Sequence, residues 1–351
     1  MQLNLLALNF LTIFTLCSFF IALLIQKIFN NNSILLDRDF LKPQAFHSRP
    51  IPRCGGLFSI LSLIVFFILH FIIFKTILLD YLIIGSCLFL IGFLDDIKIN
   101  ISPSLRLILM ILILITGIIL FSIKIFSVDI IFLQSWLSNE IFSIIFILLC
   151  FLFIVNGANL IDGFNGLLCI HLLIINLVLF LINVENNHSD VILILAGQIS
   201  ILIVFLLFNF PKAKMFLGDS GSYLFGALTV LNIIKTNNLN PSISSFFFCI
   251  LLFYLFFEVF FSFFRKIYLK KSPLKPDENH LHMLSYRWLN RFKKFKDCNY
   301  KNSLLVNFIY ITVIFPSIYF MNNGILCRYW FFTLLILYIF FYSRLYSFVK
   351  K

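Results

Sequence analysis

The chain has 351 residues, 61% hydrophobic and 12% charged, with a mean hydropathy of +1.04. A soluble domain carries roughly 25% charged residues, so a soluble fold is excluded and an all-α, polytopic bundle of membrane helices is expected. The net charge of +12 falls in loops rather than on a soluble basic module, which argues against a nucleic-acid partner.

Crossing about 30 Å of hydrocarbon takes roughly 20 apolar residues. Such runs lie near 3–26, 56–74, 79–94, 105–122, 139–155, 166–183, 190–208, 217–234, 244–264, 304–321 and 326–348, which predicts ten to eleven spans. The first run is followed by no small-residue cleavage site and reads as a retained span. The stretch near 125–133 is too short to cross and is expected at the interface. Of the 27 basic residues only Lys75, Lys124, Lys235 and Arg328 fall on one side of this alternation. The richer side is expected to be cytoplasmic, with the N-terminus outside and the C-terminus inside. The eight cysteines are scattered without a CxxC pair, so neither a zinc site nor a disulfide framework is indicated. No linker divides the chain. Residues 1–351 read as one integral domain with a basic cytoplasmic loop at 265–303.

Polar islands interrupt this apolar background, and their acids all sit at the cytoplasmic ends of predicted helices. Arg49-Pro50-Ile51-Pro52-Arg53-Cys54-Gly55-Gly56 precedes the second span, and the forked donors of arginine suit phosphate. Asp95 and Asp96 close the third span and suit a divalent ion or a general base. Asn156-Gly157-Ala158-Asn159-Leu160-Ile161-Asp162-Gly163-Phe164-Asn165-Gly166 repeats a polar residue every third position and carries glycines that permit a turn. Gly218-Asp219-Ser220-Gly221-Ser222 opens a helix, whose N–H groups attract phosphate, with Lys212 and Lys214 beside it. Glu258 and Arg265 lie near the inner end of the ninth span. His280-Leu281-His282 follows in the basic loop, where both rings can donate to phosphate oxygens. Acid clusters beside basic and histidine-bearing loops suit Mg²⁺-assisted chemistry on phosphates.

These segments, in this order from about residue 47 to 290, resemble the polyprenyl-phosphate N-acetylhexosamine-1-phosphate transferases, the glycosyltransferase family 4 group that includes phospho-MurNAc-pentapeptide translocase. The resemblance rests on Ile51 to Gly56, Gly92 to Asp96, Asn156 to Gly166, Phe216 to Ser222 and Asp277 to His282. It implies transfer of a sugar-1-phosphate from a UDP-N-acetylhexosamine to a polyprenyl phosphate such as undecaprenyl phosphate, releasing UMP. The expected setting is the bacterial inner membrane, with the site on the cytoplasmic face and an O-antigen-type glycan as the product line. Mg²⁺ is the implied cofactor, with Mn²⁺ as a substitute, and a homodimer is left open. Asp219 and Asp95 would hold the metal. Asp95, Asp96, His280 and His282 would be catalytic, and Arg53, Asn156, Asn159, Asp162 and Arg265 would bind substrate. Met283 stands where many relatives carry a further histidine, which points away from the peptidoglycan translocase branch, the alternative enzyme reading. A lipid or solute transporter is the rival of another class. Transporters gather ionisable groups near mid-membrane, whereas here they gather at helix ends.

Overall fold

The structure is a computed structural model that describes residues 5–30, 35–38, 49–99, 101–272, 277–291 and 297–350. Among these, the chain forms fourteen helices and two strands of two residues each. Helices α1 (Leu5–Phe29), α2 (Gly55–Phe74), α3 (Leu79–Asp96), α4 (Pro103–Leu120), α6 (Glu140–Ile161), α7 (Leu167–Glu185), α8 (Ser189–Asn209), α9 (Gly218–Leu239), α13 (Cys298–Tyr319) and α14 (Gly324–Lys350) match ten of the eleven expected spans. The remaining one is broken at Leu252 into α10 (Ser245–Leu251) and α11 (Phe253–Tyr268), which meet at 73°. The stretch expected at the interface leads into a seven-residue helix, α5 (Ile131–Leu137). The basic loop is partly helical: α11 continues to Tyr268, and α12 (Leu281–Arg291) stands alone before α13.

Eight of these helices are long and apolar enough to cross a membrane, and the bent pair would make nine. Helix α3 has the length but carries three aspartates, and α9 has the length but is far less apolar. The reason is position. Helix α9 packs against α2, α3, α6, α7 and α8 and is buried along most of its length, so its side chains meet protein instead of lipid. Polar groups are then tolerated if they pair. Asn232 does so at the centre: it accepts from the Tyr81 hydroxyl at 2.9 Å and donates to Gln198 and Asn176 at 2.8 and 3.1 Å. Helices α1, α4 and α14 instead expose rows of Leu, Ile and Phe, as lipid-facing helices do.

Helix ends follow local chemistry. Ser102 caps α4 by accepting from the Leu105 N–H at 3.2 Å, with Pro103 at the first helical position. Asn139 caps α6 through the Phe142 N–H at 3.0 Å. Strands β1 (Leu36–Asp37) and β2 (Ile51–Pro52) pair antiparallel. The chain after β2 then runs beside the entrance to α9: Phe216 N–H donates to Pro52 O, Gly55 N–H to Phe216 O and Gly56 N–H to Leu217 O, at 2.8–2.9 Å. This brings the N-termini of α2 and α9 to the C-terminus of α3.

Candidate active site

Gly92 makes the closest of these approaches possible. A Cβ there would lie 2.5 Å from the Asp219 carbonyl and the Ser220 nitrogen, so only glycine lets α3 lean on the first turn of α9. At Gly218, φ is +77° and a Cβ would strike the Asp96 carboxylate at 2.6 Å. The last turn of α3 is thereby pressed against the start of α9, and carboxylates 123 residues apart in sequence share one corner.

The two aspartates of α3 then part company. Asp96 is buried, and both its oxygens are engaged: Oδ1 accepts from the Asp219 N–H at 3.0 Å, and Oδ2 from the Ser220 N–H at 3.0 Å and the Ser220 hydroxyl at 2.6 Å. Asp95 is half-buried and lies against Asp219. The Arg106 guanidinium bridges them, touching Asp95 and reaching Asp219 Oδ2 at 3.3 Å, with the Tyr223 ring 5.8 Å away. Arg53 closes the other side. Its Nε and Nη2 donate to Asp37 Oδ2 at 2.9 and 2.7 Å, while Nη1 stands 3.7 Å from Asp96 and 4.0 Å from Asp219. The result is a partly open pair of carboxylates, Asp95 and Asp219, flanked by two arginines.

Asp162 follows the last residue of α6 and faces the same corner from a third element. Burial pushes its carboxyl up to about 8; Asp219 and Asp96 add to the rise, and Arg53 and the Gly218 backbone oppose it. Asn159 donates to the Ser222 hydroxyl at 3.1 Å, which ties α6 to α9. Asn156 donates to Leu152 O at 2.7 Å within its own helix. Gly157 sits inside α6 against the Leu255 carbonyl instead of at a turn. The turn begins only at Asp162, so the three-residue spacing of the motif spans two kinds of backbone.

The histidines form a neighbouring cluster. His280 Nδ1 lies 3.0 Å from Glu258 Oε1, and His282 Nδ1 lies 3.1 Å from the Tyr254 hydroxyl. The rings are parallel within 5°, 5.6 Å apart. Phe164, two residues after Asp162, sets its ring edge-on to His282 at 5.9 Å, which joins this cluster to the acid corner. Burial pushes His282 down to about 3, with His280 adding to the fall and Glu258 opposing it, so this ring is neutral. Arg265 is held by the segment that carries the histidines. It contacts Asp277, the Asn279 carbonyl and the Tyr342 hydroxyl, with Ser262 at 3.4 Å. Burial alone would raise Asp277, yet Arg265 and its own bonds to Asn279 hold it below the usual carboxylate range. Lys212 and Lys214 are exposed.

Two partners, Asp37 and Tyr223, escaped the motif reading. Arg106 was legible as a lone cation in the first turn of an apolar helix. Asp37 and Tyr223 had no signal: one lies in a strand of only two residues and the other in a helix interior.

The sequence model of glycosyl transferase family 4 matches residues 78–237, a range that contains Asp95, Asp96, Arg106, Asn159, Asp162 and Asp219. The chain is 27% identical over 281 residues to the undecaprenyl-phosphate alpha-N-acetylglucosaminyl 1-phosphate transferase of Thermotoga maritima, covering 79% of this chain and 81% of that protein. Across its central helices the chain is therefore similar to the glycosyl transferases of family 4. Shorter matches join it to phospho-N-acetylmuramoyl-pentapeptide-transferases. One from Streptococcus mutans is 39% identical over 88 residues, 25% of this chain and 26% of that protein. One from Streptococcus pneumoniae is 32% identical over 192 residues, 50% and 57%. With eight or nine membrane-competent helices among the described residues, this is an integral membrane protein similar to transferases of sugar phosphates.

Proposed function

We propose that the chain transfers an N-acetylhexosamine-1-phosphate from a UDP-sugar to polyprenyl (undecaprenyl) phosphate and releases UMP, starting a lipid-linked glycan of the cell envelope, of O-antigen type. The observation that carries this reading is the Asp95–Asp219 pair with Arg53 and Arg106 around it. Two half-buried carboxylates facing two guanidiniums suit both a hard cation and the phosphates it would bridge. The activity for which the Thermotoga relative is named agrees with this reading.

The donor set fits Mg²⁺, with Mn²⁺ as a substitute. Among the described residues no three His, Cys, Asp or Glu converge as a metal group. Mg²⁺ commonly takes one or two carboxylates and completes its shell with water and substrate phosphate, and Asp95 and Asp219 offer that pair. When bound, the ion supplies positive charge that stabilises the departing nucleotide phosphate. The protein's own groups do the rest. Arg53 and Arg106 attract and align phosphates. Asp96 holds the first turn of α9 in place, and a half-buried carboxylate of the pair is positioned to take a proton from the lipid phosphate. Asn159 and Asp162 border the corner from α6 and are placed to meet the nucleotide. The distribution of lysine and arginine supports a cytoplasmic-facing site in the bacterial inner membrane, and a homodimer is compatible with the exposed apolar helices.

Purified protein supplied with UDP-GlcNAc, undecaprenyl phosphate and Mg²⁺ is expected to yield UMP and a lipid diphosphate sugar, and to stop with chelator. No UMP from any UDP-N-acetylhexosamine would reject the reading. The Streptococcus matches favour one alternative, phospho-MurNAc-pentapeptide transfer, and UDP-MurNAc-pentapeptide in the same assay separates the two.

A further inference from the structure

Helix α11 presents two polar side chains one turn apart, Tyr254 and Glu258, and each takes the Nδ1 of one histidine. Positions i and i+4 on a helix are about 6 Å apart along the axis, and the parallel imidazoles stand 5.6 Å apart. The helix thus works as a comb that aligns both rings. Glu258 is the stronger tooth. It is fully buried, and all its bonds serve this alignment: Oε1 also accepts from the Leu281 N–H at 3.2 Å, and Oε2 accepts from the Tyr338 hydroxyl of α14. A carboxylate this deep is costly unless paired, and its partners sit on either side of one histidine. Which imidazole nitrogen remains for a ligand is set by the bond the other makes. With Nδ1 committed to Glu258, His280 has Nε2 to offer.

We propose that Glu258, held by Tyr338, is a positioning residue for His280, fixing its ring so that Nε2 addresses the diphosphate of the nucleotide-sugar donor. This rests on the transferase reading above, and the two can fail separately. The Tyr338–Glu258–His280 line also makes the C-terminal helix α14 part of the site's support.

The test is a double-mutant cycle on the purified full-length protein with UDP-GlcNAc and undecaprenyl phosphate. Glu258→Leu is expected to raise the donor KM about 30-fold, the scale of a lost charge-assisted hydrogen bond. The acceptor KM should stay within about twofold, and Glu258→Gln should recover part of the loss because its amide oxygen still accepts. In a His280→Ala background, Glu258→Leu should add less than about twofold, since coupled residues do not add. Additive losses, or equal changes in both KM values, would overturn the proposal. If the leucine variant fails to assemble, Tyr338→Phe is read in the same cycle, with an expected donor KM rise of about threefold that vanishes beside His280→Ala. A readout free of activity is ¹⁵N-histidine NMR: the His280 signal, assigned by its loss in His280→Ala, should show a protonated Nδ1 in the wild type and lose it in Glu258→Leu. A wild type that turns over no donor but gives that signal defeats the transferase reading alone. An unprotonated Nδ1 in the wild type defeats the positioning role.

Discussion

Asp96 turns its carboxylate onto the start of α9, where it accepts from the Asp219 N–H at 3.0 Å and from both the N–H and the hydroxyl of Ser220. It therefore caps a helix from another helix, satisfying donors that a helix N-terminus leaves open, and aims the neighbouring Asp219 side chain at Asp95. Asp96→Ala should then cost stability as well as activity. Three bonds to a buried anion are lost, each worth roughly 1.5–3 kcal/mol, so a clear drop in the melting temperature of the detergent-solubilised protein is expected. An unchanged melting temperature would show that Asp96 is not a structural cap.

Asp219→Asn and Asp95→Asn should behave oppositely. Both carboxylates are half-buried and repel each other across a shared guanidinium, so neutralising one costs little stability. UMP release should nevertheless fall by about 100-fold or more, the scale of losing a charged group that acts on the reacting phosphates. A pair of variants that melt early and keep their residual turnover would invert the assignment.

His282 supplies a pH prediction. Its ring is buried among Tyr254, Phe164 and the neighbouring helices and is held neutral, with its proton affinity pushed down to about 3. In an unfolded chain a histidine titrates near 6.5. Between those values the unfolded chain binds the extra proton and the folded one does not, so this group's contribution to stability is complete above about pH 6.5 and is lost as pH falls toward 3. At pH 5 the loss amounts to about 2 kcal/mol. Melting temperatures measured from pH 7.5 to 5 should decline in the wild type and decline less in His282→Asn. Parallel curves would mean that His282 does not carry the effect.

The spans were legible because lipid imposes long apolar runs, and the motif order was legible because polar residues stand out against them. Other features were hidden for physical reasons. Asp95 and Asp96 are adjacent, yet neighbouring residues on a helix point about 100° apart, so a carboxylate pair in sequence becomes one site group and one cap. The break at Leu252 falls inside a run of Phe, Leu and Ile with no proline or glycine to mark it; its direction depends on contacts from elsewhere, such as Asp129 accepting from Ser244 at the cap of α10. Arg265 resembled a phosphate ligand from its place beside the histidines. In the fold it also pairs with the nearby Asp277, a partner that its place in the sequence did not announce. Arg53 combines both outcomes, anchored on Asp37 while one nitrogen still faces the acid corner.

Arg106 stands where a cation would otherwise be needed. It touches Asp95, reaches Asp219 at 3.3 Å and lies beside the Tyr223 ring. The Tyr223 hydroxyl is buried with no partner among the described residues. One guanidinium thus neutralises two carboxylates that would repel, and it competes with any metal ion for the same oxygens. Arg106→Ala should therefore separate two properties that usually fall together. Transfer should drop by about 30-fold, because a phosphate-facing charge is lost, while Mn²⁺, followed by electron paramagnetic resonance in the absence of substrates, should bind several-fold more tightly. Arg106→Lys, which keeps the charge without the fork, should leave Mn²⁺ affinity near that of the wild type and restore only part of the turnover. Weaker Mn²⁺ binding in the alanine variant would mean that Arg106 builds the carboxylate pair instead of competing for it.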